Sequence, residues 1–155
     1  MSSMRPLLSR YWRHLFVLLA VVGVGIQLIP YGHSHENPPV VREPRWDSAH
    51  TRELARRACF DCHSNETVWP WYSNIAPISW LVRHDVDEGR RELNFSEWHR
   101  FQEADELVEV IQEGEMPPAY YVLLHPGARL SPEEREALIA GLRATSHQDP
   151  PGAAP

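Results

Sequence analysis

"DSAHTRELARRACFDCH", residues 47–63, joins a helical pattern to a chemical motif, and its reading decides the fold class. Asp47 or Ser48 stands where an N-cap is wanted, and the segment after it has the 3.6-residue period of a helix. That helix is expected to end at or within the motif Cys59-x-x-Cys62-His63. Downstream the same period returns. In "ISWLVRHDVDEGRREL" after Pro77, Ile78, Leu81, Val82 and Val86 fall at helical spacing, and Gly89 offers an early stop. Ser96 is placed to cap "EWHRFQ". "EADELVEVIQEG" puts Leu107, Val110 and Ile111 on one face, with Gly114 as C-cap. Ser131, Pro132 and Glu134 form an N-cap, a first-turn proline and a capping-box acid ahead of the stripe Leu138, Ile139 and Leu142. No stretch alternates like a strand and no repeat occurs, so residues 47–145 read as one small all-α domain.

Composition limits the chemistry. All 15 basic residues are arginine, so Schiff-base and P-loop lysine chemistry is excluded. Residues 47–155 hold 10 arginines against 19 acids, a balance that repels nucleic acid and favours a basic protein partner.

Residues 1–31 read as a membrane anchor, with a removed signal peptide or a buried core helix as the alternatives. Arg5, Arg10 and Arg13 precede the apolar run "LFVLLAVVGVGIQLIP", which Tyr11, Trp12 and Tyr31 flank as interfacial aromatics do. The span between them is about 20 residues, enough to cross ~30 Å of hydrocarbon. No small-x-small cleavage signal follows. The positive-inside rule then puts the N-terminus in the cytoplasm and the rest outside, which in a bacterium is the periplasm. Residues 32–46, with Pro38, Pro39 and Pro44, are expected to be a semi-extended linker reaching up to about 45 Å. Its His33 and His35 read as solvated rather than metal-binding. Residues 146–155 are expected to be a disordered tail.

Three chemistries use a C-x-x-C. A thioredoxin-like pair needs a βαβ setting that this chain lacks, and structural zinc needs four ligands where only two thiols exist. C-x-x-C-H as a c-type haem attachment uses the whole motif: each thiol adds to a haem vinyl group, and His63 supplies an imidazole to the iron. A disulfide in the same exported compartment is the simpler alternative. For the second axial ligand the candidate is Met116 in "EGEMPPAYY", the one methionine of residues 47–155, beside Pro117 and Pro118. His84, His99 and His125 are the alternatives. Trp69, Trp71, Tyr72 and Trp80 are candidates to wall a haem crevice, Tyr72 or Asn74 to bond a propionate, and Arg83 and Arg90 to pair with its charge. Core filling serves these residues equally well.

With "CFDCH", "SNETVWPWYSNIAPISW", "NFSEW", "GEMPP" and "LSPEEREALIAGL", the chain resembles a bacterial family of small haem-binding domains over about residues 46–145. The resemblance implies covalent haem on Cys59 and Cys62, with His63 as axial ligand, commonly on membrane-anchored exported proteins. More distantly the layout resembles class I cytochrome c, although the last helix lacks the aromatic such proteins pack against the first, and the tryptophan-rich segment has no counterpart there. The expected function is one-electron transfer by a periplasmic, inner-membrane-anchored cytochrome serving a basic redox protein or respiratory complex. The alternatives are a haem sensor or peroxidase-like enzyme with an open sixth position, and a structural or haem-delivery role.

Overall fold

Ser48, not Asp47, caps the helix before the cysteines: its side chain accepts a hydrogen bond from the Thr51 N–H, satisfying a donor with no partner inside the helix. The computed structural model describes residues 4–153, without the side chains of residues 4–10 and Asp105. Its helices are α1 (Met4–Gly25), α2 (Ala49–Ala58), α3 (Phe60–His63), α4 (Ile78–Glu92), α5 (Ala104–Glu113), α6 (Ala119–Leu124) and α7 (Pro132–Gln148). Short 3-10 turns lie at Ile26–Leu28, Trp71–Asn74 and Pro126–Ala128. No strand forms among the described residues, whose only bridge is an isolated one between Arg42 and Glu97. The fold is all-α, as the periodicity predicts.

Two compact units divide the chain. One comprises Met1–His35 and Pro70–His84, the other Glu36–Trp69 and Asp85–Pro155. In the first, α1 and the turn after it hold an apolar span, Tyr11–Leu28, that is long enough to cross a membrane and has none of its residues buried. That exposure removes the core-helix alternative.

In the second unit α7 packs against α2 and α5. At the α2 contact a Cβ on Gly141 would stand 2.1 Å from the Thr51 hydroxyl, so the two helices meet at a bare backbone where an aromatic has no room. The reciprocal Ser131–Glu134 capping box fixes the start of α7, and Gly114, at φ 79°, closes α5. Leu54, Phe60, Phe95, Trp98, Leu107, Ile111, Leu138 and Leu142 form the core. Phe95 is its hub, with ring centroids 5.2 Å from Trp46, 5.6 Å from Phe60 and 5.8 Å from Trp98.

Three expectations are corrected. Ser96 caps no helix, because its hydroxyl accepts instead from the Asn65 N–H at 2.9 Å, and residues 97–100 form turns. Residues 36–46 are not a free spacer: Val41 and Arg42 donate their N–H groups to the Ser96 carbonyl, and Glu43 takes both Nε and Nη2 of Arg52 at 2.7 Å. The tail is placed through residue 153. Asp149 is fully buried, Arg42 donates to its carboxylate at 2.5 Å, and the Trp98 indole donates to its carbonyl at 2.7 Å. Residues 154–155 of the expected tail lie outside the described residues.

Candidate haem site

The C-x-x-C-H segment reaches its position because α2 ends at Ala58 and the chain turns through Cys59 into the four-residue α3. His63 is then held at the far end of α4 by the carbonyls of Gly89, which also accepts the Leu93 N–H at 3.0 Å, and of Leu93 just beyond the helix. Its Nδ1 lies 2.9 Å from the Gly89 carbonyl and 3.1 Å from that of Leu93, so Nδ1 carries the proton and donates, leaving Nε2 with a lone pair. Burial pushes the His63 pKa down, against the opposing hydrogen bonds to Leu93 and Gly89, and so favours the neutral imidazole. The close approach that allows this depends on Gly89, where a Cβ would meet the Cys62 carbonyl oxygen at 2.6 Å.

"SNET" supports the motif from behind. The Phe95 N–H donates to the His63 carbonyl at 2.8 Å, and the Ser64 hydroxyl to the Phe60 carbonyl at 2.7 Å. Asn65 and Asn94 are buried and joined by a 2.9 Å hydrogen bond. Arg90 closes this loop, donating to the carbonyls of Ser64 and Glu36, to Asn37 and to Thr67. The guanidinium considered as a propionate partner is therefore committed to the fold.

A cavity of about 600 Å³ opens over the motif, within the ~300–1,000 Å³ usual for small-molecule sites. Cys59, Cys62, His63 and Met116 all line it, with Leu107, Val110, Ile111 and Leu138 as an apolar wall. Met116 also packs against the core. Both cysteines are half-buried free thiols whose pKa burial pushes up to about 12. A redox dithiol needs a depressed pKa, so this environment disfavours that chemistry. Among the described residues, no group of three or more His, Cys, Asp or Glu side chains converges as a metal cluster.

Other candidates fall elsewhere. Trp69 is absent from the cavity wall and donates its indole N–H to Asn37 at 3.1 Å. Tyr72, Asn74, Trp71, Trp80, Arg83 and His84 belong to the other unit. In that unit Arg83 donates to the Ser34 carbonyl, and His35 bonds Ser73 rather than being a solvated linker histidine. His99 is exposed, and His125 stacks on Tyr121 with centroids 4.1 Å apart, outside the wall.

Sequence reading missed Tyr121, Asp61, Arg129 and Arg135. The Tyr121 hydroxyl donates to Asp61, between the two cysteines, at 2.7 Å; burial and that bond push its pKa up. Asp61 also accepts from the Val68 N–H at 2.9 Å. "AYY" directly after "EMPP" was the available signal for the tyrosine. Among the described residues Arg129 and Arg135 are the cations in a wall that also carries Asp61, Asp85, Glu88, Glu92, Glu103 and Glu106, and nothing local in the sequence announces them.

The residues present fit a haem. The cavity has the size and apolar wall, its nitrogen and sulfur donors suit iron, and His63 has one nitrogen anchored and the other unengaged. A family model described as a haem-binding domain matches residues 21–144. No curated protein and no solved structure matches the chain.

Proposed function

The chain belongs to the haem-binding domain family, and from that premise we propose that it is a membrane-anchored c-type cytochrome that passes single electrons on the periplasmic side of a bacterial inner membrane. The observation that carries the reading is the gathering of Cys59, Cys62, His63 and Met116 on one cavity wall. Cys59 and Cys62 would hold the haem by thioether bonds, each S–H adding across a vinyl group, which would make the cofactor haem c. His63 would hold the iron through Nε2, with its ring fixed by the Gly89 and Leu93 carbonyls. Met116 would hold the iron through its thioether sulfur, and a His/Met pair would raise the potential above that of a bis-histidine site. A bound haem would supply a reversible one-electron change at its iron. The protein excludes water with its apolar wall and holds both ligands on a rigid frame, so little rearrangement accompanies the change. Arg129 and Arg135 are the cations available to the propionates.

The orientation follows from Arg5, Arg10 and Arg13 in the first turns of α1, ahead of the apolar run that starts at Leu15, which keep the N-terminus cytoplasmic. The test is made on protein expressed with export and haem-attachment machinery. Mass spectrometry should find one haem added to the peptide containing Cys59 and Cys62, and the oxidised spectrum should contain a methionine-to-iron charge-transfer band that Met116→Ala removes. A spectrum and potential unchanged by that substitution would refute the ligation, and rapid carbon monoxide binding by the reduced wild type would favour an open-site sensor or enzyme.

A further inference from the structure

The tryptophan-rich segment is left without a role at the haem cavity, and its own unit supplies one. There it is tied to the C-terminal end of the apolar span. The Gln27 side chain, at the end of that span, makes two hydrogen bonds to the backbone of Ala76: Nε2 donates to the carbonyl at 2.9 Å, and Oε1 accepts from the N–H at 3.0 Å. The chain that follows lies against the first turn of α4, since a Cβ on Gly32 would stand 2.6 Å from the Ser79 carbonyl oxygen. His35 to Ser73 and Arg83 to Ser34 complete the attachment.

On this tethered segment Trp71 is 77% exposed, Ile75 44%, Ile78 46% and Leu81 47%. The last three recur every third residue, so Ile78 and Leu81 share one side of α4 with Ile75 just before it. Tyr31 is also exposed in the same unit. Four large apolar side chains within eleven residues form the kind of patch that marks an interaction surface. Outside α1 the unit contains one arginine, Arg83, and no acid, while all 21 acids of the chain lie in the other. A surface without negative charge, fixed at the end of an apolar span and carrying an exposed tryptophan, matches the headgroup layer of an anionic bilayer.

We propose that Trp71, Ile75, Ile78 and Leu81 lie in the interfacial layer of the membrane that α1 crosses, as a second, non-spanning contact with lipid. This rests on the reading of α1 as an anchor. Burial of the aliphatic side chains at the hydrocarbon boundary, with the indole at headgroup depth, stabilises the contact as it does in interfacial amphipathic helices.

The test uses the full haem-loaded chain reconstituted in phosphatidylcholine–phosphatidylglycerol vesicles that include a phospholipid with a photoactivatable diazirine in its acyl chain. After illumination, adducts are mapped by mass spectrometry. The expected map has lipid adducts both within α1 and within residues 71–81. In the combined variant Trp71→Ser, Ile78→Ser, Leu81→Ser the second set is lost, while the α1 adducts and the haem absorbance persist. Adducts on α1 alone in the wild type overturn the proposal and leave the anchor standing, the result expected if a protein partner covers the patch. Adducts on neither segment overturn the anchor reading, and this proposal with it.

Discussion

A methyl group at residue 89 would have to stand 2.6 Å from the Cys62 carbonyl oxygen and 2.9 Å from its Cβ, distances that require the attachment loop or α4 to move. Gly89→Ala favours the helix by propensity, yet the overpacking cost of ~1–3 kcal/mol outweighs the ~1 kcal/mol gain. We expect a lower denaturation midpoint and less covalently bound haem, and an unchanged midpoint would contradict the close packing. Glu43 gives a pH-dependent case. The hydrogen bonds from Arg52 hold its carboxyl below its ordinary value of 4.5, against the opposing effect of burial. A depressed folded-state pKa means that this stabilisation is complete above the unfolded value and lost as pH falls through the folded one. Glu43→Gln should therefore lower stability at neutral pH and flatten its acid limb, with the difference from wild type vanishing in strong acid; denaturant titrations across that range measure it. Sequence pattern named Cys59, Cys62, His63 and Met116 because the motif is local. It read Gly89 as a helix stop and Arg90 as a propionate partner because their roles depend on residues more than twenty positions away, Cys62 for one and Ser64 with Thr67 for the other.

Helix ends were legible where the capping side chain serves its own helix. The Ser131–Glu134 box, the Ser48 cap and the Gly114 stop are satisfied within a few residues, so the local pattern carries them. Ser96 has the same local look, but its hydroxyl is taken by Asn65, 31 residues earlier, and the expected helix does not form. The C-terminal segment reads as a disordered tail for a related reason: Pro- and Gly-rich composition hides that Asp149 is buried against Arg42 and Trp98. The short helix α6 has a functional consequence that follows from its place in the chain. It begins right after Met116, Pro117 and Pro118, and Tyr121 joins it to Asp61 in the attachment motif. That bond ties the loop carrying the proposed sixth ligand to the loop carrying the fifth. Tyr121→Phe removes one hydrogen bond, worth about 1 kcal/mol, without emptying the ring's space. The methionine-to-iron band should then disappear at lower denaturant concentration, ahead of the loss of helical signal. Tyr120→Phe, whose hydroxyl bonds the more open Asp85 at 3.0 Å, should shift that transition less. Equal shifts for the two variants would mean that the Asp61 bond has no particular hold on the ligand loop.

Charge is distributed over the molecule as sharply as any motif. The unit that contains α1 has arginines alone, and the unit that contains the cavity carries all 21 acids against eleven arginines. Glu88, Glu92, Glu103 and Glu106 lie on the cavity wall itself, so negative potential is concentrated where an electron would enter or leave a bound haem. Such a field raises the encounter rate with cations and lowers it with anions, and salt weakens both effects because the screening length falls to ~8 Å at physiological ionic strength. This was legible from composition as a net preference, though its concentration at the cavity was not, since these glutamates come from the separate helix α4 and the start of α5. The holoprotein, reduced and mixed by stopped flow with a cationic cobalt(III) complex, should be oxidised more slowly as salt is added. With ferricyanide the rate should rise. Matching salt slopes for the two oxidants would show that the acidic wall does not face the route of electron exchange, and a basic protein partner would then have no electrostatic reason to dock there.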